Sequence, residues 1–225
     1  MNYALGDMVP AALAVALSPF PIIAIVIVLS TPRARTNGPL FALGWVLGLV
    51  AVSTVVVLLL GNVGDDSDSD ASTIVSVLRV VLGAGLLLLA AKQWSKRPRK
   101  GEEPTQPPWM ASVETATPGR TLVLGLALAG ANPKNLALTL AASASISRAG
   151  LDPTGTVIAL AVFVAIGSFT VLGAVIYYLL AGDRATAPLA KVKQFMLRHN
   201  NVIMMVILLA LGFTILTEGI VGLRS

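Results

Sequence analysis

The sequence has no cysteine and a single histidine, His199. Without cysteine, the chain cannot form disulfides, thiolate metal sites or thiol redox centres. With one histidine, we do not expect a metal pathway built from several imidazole ligands either. Charged residues are also scarce, since they make up 12% of the chain, whereas a soluble globular domain carries roughly 25%. So few charges do not cover a soluble surface, and we therefore expect an integral membrane protein.

Apolar residues are what the sequence has in excess, because they make up 56% of its 225 residues. They gather in runs of about 20 residues or more, the length that crosses roughly 30 Å of hydrocarbon. We therefore predict an all-α integral membrane fold with six transmembrane helices, at 9–30, 39–60, 72–91, 121–147, 154–181 and 201–222. The first run is not preceded by a basic residue and contains prolines, so we interpret it as a retained span rather than a cleaved signal peptide.

The basic residues are distributed unevenly among the connections between these spans. Loops 31–38, 92–120 and 182–200 together carry 12 Lys and Arg residues, whereas the amino end, the other two loops and the carboxyl tail carry 2. By the positive-inside rule, these three loops are cytoplasmic and both termini face outward. The chain is thus predicted to be a multi-pass plasma-membrane protein. Its net charge of +5 is explained by this orientation, and we expect no nucleic-acid partner.

The longest connection, 92–120, is rich in proline and charge, which is typical of a flexible linker. It divides the chain into two three-span halves, 1–91 and 121–225. Because each half has an odd number of spans, the second half enters the membrane in the opposite sense, and we predict two inverted three-helix repeats. The acidic loop 61–71 lacks the spacing of a calcium site and is interpreted as a solvated external loop.

Two of the predicted spans carry helix-breaking residues near their centres. The fourth span contains Asn132-Pro133-Lys134-Asn135, and the first contains Ser18-Pro19-Phe20-Pro21. A proline inside a span removes a backbone hydrogen bond, and the freed groups need protein or water partners because lipid offers none. Interrupted helices at corresponding positions of two inverted halves mark transporter binding sites. We therefore predict that helices 1 and 4 are broken around a polar site at the bilayer midplane; the alternative is that each proline is a packing kink.

Lys134 is the least expected residue of this group, because a lysine at the bilayer centre costs about 2.5–3.5 kcal/mol on insertion scales. The spans offer it no clear acidic partner at the same depth, which suits an anionic ligand such as a phosphate, sulfate or carboxylate. Arg79, in the third span, either lines an exit path or extends to the outer headgroups. The candidate substrate-binding residues are Lys134, Asn132, Asn135, Pro133, Ser18, Pro19, Pro21 and Arg79.

Other patterns in the sequence do not point to chemistry. The sequence shows no nucleophile–base pair, paired carboxylates or phosphate-binding loop, so we expect no enzyme, no cofactor and no metal site. Gly44 and Gly48 form a GxxxG pattern, which we interpret as close packing between helices.

The stretch ALSPFPIIAIVIVLSTPRARTNGPLFALGWVLG, followed by the basic linker and then by GANPKNLALTLAA, resembles the GAP family. These are the glycopeptidolipid- and sulfolipid-addressing proteins of actinobacterial envelopes, within the LysE-type exporter superfamily. The resemblance covers nearly the whole chain. Superfamily relatives export amino acids, metal cations or envelope lipids, or transfer electrons through cysteine pairs. The lack of cysteine excludes electron transfer here, and the single histidine argues against nickel or cobalt efflux.

The resemblance therefore implies a transporter that exports or flips a lipid-linked or amphipathic anionic cell-envelope component, such as a glycolipid, across the plasma membrane. One alternative is a LysE-like exporter of amino acids or other small solutes. Another is a non-transporting scaffold that recruits envelope-lipid synthases, for which loop 92–120 would be the contact. The expected partners are membrane lipids, the anionic glycolipid or amphipathic substrate, a second copy of the chain in a homodimer, and the envelope-lipid synthesis machinery.

Overall fold

The computed structural model describes residues 2–61, 69–95 and 109–224. Residues 62–68 of the predicted acidic loop 61–71 and residues 96–108 of the predicted linker 92–120 lie outside these residues. Within the described ranges every regular element is a helix, which confirms the predicted all-α class. The helices are α1 (Asn2–Ala16), α2 (Pro19–Leu29), α3 (Ala34–Gly61), α4 (Ser69–Ser95), α5 (Trp109–Glu114), α6 (Pro118–Gly130), α7 (Pro133–Arg148), α8 (Pro153–Ala181), a 3-10 turn (Gly182–Ala185) and α9 (Thr186–Gly222).

Four of these helices begin directly at a proline that follows a small polar residue. Proline is well suited to the first helical position, since its backbone lacks the N–H that would have no partner there and its φ angle is already helical. Serine, threonine, asparagine and aspartate are the residues that favour the position before a helix. The four pairs are Ser18-Pro19, Thr117-Pro118, Asn132-Pro133 and Asp152-Pro153.

Three stretches of the described residues are helical, long and apolar enough to cross a membrane: Met8–Leu29, Ala34–Leu59 and Pro153–Gly222. They indicate a membrane protein, and they contain the predicted spans 1, 2, 5 and 6 to within one residue. The predicted third span lies within α4, Ser69–Ser95, whose described apolar part includes Val80–Ser95. The predicted fourth span is divided between α6 and α7, of 13 and 16 residues. The arrangement of six spans as inverted repeats stays a prediction.

The segment 182–200, predicted as a cytoplasmic loop, is helical in the structure. After the 3-10 turn, α9 begins at Thr186 and continues for 37 residues, a length of about 55 Å at 1.5 Å per residue. Its proline, Pro188, falls in the first turn, where it does not interrupt the hydrogen bonds of the helix. No glycine, the residue that most often ends a helix, lies between Pro188 and Gly212.

By packing, the chain divides into two compact units, Met1–Val63 with Thr105–Met196, and Gly64–Pro104 with Leu197–Ser225. Each unit takes residues from both predicted halves of the chain, and the halves 1–91 and 121–225 stay a prediction. In the second unit, α4 packs closely on the carboxyl-terminal part of α9, where a Cβ on Gly83 would lie 2.6 Å from the backbone nitrogen of Leu216.

The first unit is built around α2. Pro19 and the run from Pro21 to Leu29 are all buried, and α2 contacts α3, α5, α6 and α8. A helix that is apolar on every side is expected to lie inside a protein or a membrane. Here the neighbouring helices of the same unit cover it, which fixes the position of the interruption at its amino end.

The closest helix contact of the first unit joins α3 and α6 through glycines. A Cβ added to Gly44 would overlap the carbonyl oxygen of Leu122, and one added to Gly125 would overlap that of Phe41. A Cβ on Gly48 would lie 2.7 Å from Ala129 Cβ. The interpretation of Gly44 and Gly48 as helix-packing residues is thus confirmed, because only glycine allows backbones to approach this closely.

Candidate functional site

Two helix interruptions, far apart in the sequence, meet inside the first unit. The first lies at Leu17 and Ser18, between α1 and α2, and the second lies at Ala131 and Asn132, between α6 and α7. Both fall where the sequence places helix-breaking residues within a predicted span. An interruption leaves backbone N–H groups without partners on one side and carbonyl groups without partners on the other.

At the amino-terminal ends of α2 and α7, which follow the interruptions, prolines and one cap reduce the number of free N–H groups. Pro19 and Pro21 occupy the first and third positions of α2, and neither has an N–H to satisfy. In α7, Pro133 is the first residue, and the Asn132 side chain accepts the backbone N–H of Lys134 at 3.2 Å. Pro19, Pro21 and Pro133 thus remove three donors that lipid would leave unpaired, and the Asn132 side chain caps a fourth.

At the carboxyl-terminal ends of α1 and α6, which precede the interruptions, side chains of other segments hydrogen-bond to the freed carbonyl oxygens. Lys134 Nζ donates to the carbonyl of Ala14 at 3.2 Å. Thr170 Oγ1, on α8, donates to the carbonyl of Ala16 at 2.5 Å. Asn135 Nδ2 donates to the carbonyl of Leu128, in the last turns of α6, at 2.9 Å. The polar side chains at the interruptions thus replace hydrogen bonds that a continuous helix would have made itself.

Ser18 connects the two interruptions. Its hydroxyl donates to Asn135 Oδ1 at 2.5 Å and accepts from Lys134 Nζ at 2.9 Å. Ser18 is 2% exposed and Asn135 is fully buried. In a buried environment such hydrogen bonds are strong, and losing one partner leaves the other without water to replace it.

Lys134 brings an ammonium group into this cluster, and no acidic side chain among residues 2–61, 69–95 and 109–224 is bonded to it. Among the described residues, its ammonium group has two hydrogen-bond partners, the hydroxyl of Ser18 and the carbonyl of Ala14, and both are neutral. An ammonium group has three donors, so one N–H remains for a further acceptor. The arrangement is chemically suited to bind one anionic oxygen beside Ser18.

The structure brings most of the predicted site residues together. Ser18, Asn132, Lys134 and Asn135 form one hydrogen-bonded cluster, with Pro19 at the first position of the adjoining α2. Pro21 lies two residues further along α2 and is buried. Two predicted residues are only partly described: the backbones of Pro133 and Arg79 belong to α7 and to α4. Their side chains lie outside the described residues.

Sequence analysis does not identify Thr170, although it caps the end of α1. The available signal is weak, because Thr170 is one hydroxyl residue in a long apolar run. Three further buried hydroxyl groups, those of Thr139, Ser143 and Ser168, have no hydrogen-bond partner among the described residues. Serine and threonine are common in spans as intrahelical or interhelical bonding residues, so composition does not distinguish unpaired hydroxyls from paired ones.

The chain was compared with known proteins by family, by sequence and by structure. A search of the curated proteins and a search of the solved structures found no match. The family model described as Sap, sulfolipid-1-addressing protein, matches residues 8–221. The match includes both helix interruptions and every residue of the hydrogen-bonded cluster. The chain therefore belongs to the family of the Sap, sulfolipid-1-addressing protein.

Proposed function

We propose that this protein exports or flips a lipid-linked or amphipathic anionic component of the cell envelope across the plasma membrane. Lys134 would hold the anionic headgroup, and Ser18 and Asn135 would fix the position of the ammonium group. The observation that carries the proposal is the Lys134 ammonium between two helix interruptions, with only neutral hydrogen-bond partners among the described residues. A buried charge of this kind is costly, and ionisable residues inside spans usually have a functional role.

Family membership supports the lipid-related part of the proposal. The apolar helices and the sulfolipid-addressing family together fit a membrane protein in lipid-related envelope processes. A sulfolipid headgroup carries a sulfur oxyanion, and an ammonium group with a free N–H is a suitable partner for such an oxygen. The substrate class would then be an anionic envelope lipid.

A cavity in the first unit also supports a lipid substrate over a small solute. The cavity has a volume of about 500 Å³ and lies between α3 and α8, within the range of roughly 300–1,000 Å³ that is typical of ligand sites. Its walls are apolar except for Ser53, Thr54 and Ser168. Because α3 and α8 both belong to stretches that are long and apolar enough to cross a membrane, an apolar cavity between them suits an acyl chain.

The proposed architecture is six spans in two inverted halves, with both termini outside. Interrupted helices in the first and fourth spans would then form the binding site near the midplane, as in other transporters built from inverted repeats. The meeting of the two interruptions at Ser18 and Asn135 supports this arrangement. The proposal assigns the protein to the wider LysE-type exporters.

A second candidate is an exporter of amino acids or similar small solutes. The observation that favours it is the compactness of the buried cluster at Ser18, Lys134 and Asn135, which suits a single carboxylate. The two candidates differ in whether an apolar chain of the substrate occupies the cavity between α3 and α8.

Native mass spectrometry combined with lipid analysis, on protein gently extracted from its own membrane, tests the leading proposal. Wild type is compared with Lys134→Ala and Lys134→Arg, and with Lys191→Ala, which removes an exposed lysine far from the cluster in sequence. We expect one anionic lipid to copurify with wild type and Lys191→Ala. A charge-assisted hydrogen bond contributes about 1.5–3 kcal/mol, so Lys134→Ala should reduce retention roughly tenfold or more.

Lys134→Arg should retain part of the lipid, because it keeps the charge but changes the donor geometry. Only bulk phospholipid in all four proteins would contradict the lipid proposal. Amino-acid efflux that depends on Lys134 would then favour the second candidate.

A further inference from the structure

The helix that carries Lys134 has a second buried polar feature, which the proposed site does not use. Asn135, Thr139 and Ser143 follow one another at intervals of four residues along α7, so they lie on one face of the helix. All three are fully buried. Asn135 is bonded to Ser18 and Leu128, but the hydroxyls of Thr139 and Ser143 have no hydrogen-bond partner among the described residues.

Buried hydroxyl groups without a hydrogen-bond partner are uncommon in folded proteins and call for an explanation. A buried polar group without a partner destabilises the fold, whereas valine or alanine of similar shape would not. A serine or threonine in a helix usually bonds to the carbonyl four residues earlier, and Ser53 does so with Leu49 at 2.7 Å. Thr139 and Ser143 make no such bond, so their hydroxyls are available as hydrogen-bond donors.

This face of α7 extends from the Lys134 site toward the predicted outer side of the membrane. From Asn135 to Ser143 the helix rises about 12 Å, close to half of the hydrocarbon thickness of roughly 30 Å. The helix then ends at Arg148, beside the loop 148–153 that the charge distribution predicts to be outside. Toward the predicted cytoplasmic side, α2 offers no equivalent, because Ile22 to Leu29 are apolar and buried.

We propose that Asn135, Thr139 and Ser143 form an outward path that binds the anionic headgroup of the cargo after it leaves Lys134. Each hydroxyl donates a hydrogen bond to a headgroup oxygen, at successive positions one helical turn apart. The path is closed in this state, and it opens when helices packed on α7 move away from this face. The inference rests on the proposed function, since it assigns the exit route of the same anionic cargo.

The absence of cysteine from the chain allows a direct test by thiol labelling. Single cysteines are introduced as Thr139→Cys and Ser143→Cys, and as the control Ala137→Cys, an exposed position on the other side of α7. Membrane-impermeant thiosulfonate reagents, one anionic and one cationic, are added outside intact cells. A thiol reacts as the thiolate, so a thiol that faces lipid should react slowly with either reagent.

We expect Thr139→Cys and Ser143→Cys to react about tenfold faster than Ala137→Cys with the anionic reagent, equivalent to about 1.4 kcal/mol. The anionic reagent should react faster than the cationic one, and Lys134→Gln should remove this preference. Inorganic sulfate added outside should slow the labelling of Thr139→Cys. Labelling after denaturation, together with membrane insertion of each variant, shows that every thiol is present.

Equal and slow labelling at all three positions, or a preference that Lys134→Gln does not change, would overturn the path. These outcomes are separate from the failure of the proposed function. If wild type retains the lipid but the two cysteines stay unlabelled, the lipid proposal stands and the path is wrong. If no lipid is retained but anion-selective labelling occurs, the path stands and the cargo is a small anion.

Discussion

The hydroxyl of Ser18 donates a hydrogen bond to Asn135 Oδ1 at 2.5 Å, and the two residues are 117 positions apart in the sequence. Each residue adjoins a helix interruption that would be unstable alone in lipid. Their contact makes the two interruptions depend on one another, because Ser18 also accepts the ammonium of Lys134. The site therefore links two segments that are distant in the sequence. Its polar groups stabilise the fold in addition to their proposed role in binding.

Replacing Ser18 tests how much its hydrogen bonds to Asn135 and Lys134 stabilise the protein. Ser18→Ala leaves Asn135 Oδ1 and one N–H of Lys134 without their partner, both in a buried environment, and should destabilise the protein by about 1–3 kcal/mol. The control is Ser53→Ala, because Ser53 is equally buried but bonds only to carbonyls of its own helix. That change should cost less than about 0.5 kcal/mol. Thermal unfolding in detergent measures both, and equal loss in the two variants would contradict the role of Ser18.

Asn132 is expected to be needed as a helix cap. Asn132→Ala removes the acceptor of the Lys134 backbone N–H and should cost about 1–2 kcal/mol, whereas Asn132→Ser should restore most of it. Asp152 is a matched cap at the exposed start of α8, where it accepts the N–H of Gly155 at 3.0 Å. Water can replace that bond, so Asp152→Ala should cost less in the same unfolding assay. A larger loss at Asp152 would show that the interruption at Asn132 is solvated.

The glycine contact between α3 and α6 predicts opposite effects for the same substitution. Gly44→Ala and Gly125→Ala place a methyl group against backbone carbonyls of the facing helix and should each destabilise the protein by about 1–3 kcal/mol. Gly173→Ala, in α8, meets no atom within 4 Å and should stabilise it by about 0.5–1 kcal/mol. Unfolding temperatures of the three variants check the signs. Tolerance of alanine at Gly44 would mean that the two helices are further apart.

The predicted orientation is testable with single cysteines in the connections. A thiol at Ser67, in the acidic loop 61–71, should react with an impermeant reagent on intact cells. Thiols at Thr36 and Gln194, in segments rich in basic residues, should react only after the membrane is permeabilised. The opposite pattern would place both termini in the cytoplasm and would reverse the direction of the proposed path.

Sequence reasoning predicts the interruptions well because prolines and a mid-span lysine violate local rules strongly. Pro19 and Pro133 start helices at the expected places, and the membrane-spanning stretches follow from apolar length alone. The same reasoning assigns Ser18 and Lys134 to one candidate polar site, but it does not predict the hydrogen bond that the structure shows between them. These features depend on one residue or one run, and so they are readable from the chain itself.

Other features depend on which segments meet, and the sequence does not encode that locally. Thr170 is an ordinary hydroxyl until α8 is known to lie against the end of α1. The continuous α9 is also missed, because the basic residues between Arg184 and Arg198 indicate a connection rather than a helix. The charge pattern indicates on which side of the membrane a segment lies, whereas helix continuity depends on backbone propensity. A segment outside the membrane can therefore continue as part of the same helix as the following span.

The burial of α2 has a consequence for how the protein is made. Residues 19–29 leave the ribosome before α6 and α8, yet these later helices supply part of the surface that covers α2. Until they are inserted, the prolines and Ser18 must rest against lipid or the insertion machinery without their final partners. This segment is therefore synthesised before the helices that enclose it, and truncation before α8 should leave it exposed to quality-control proteases.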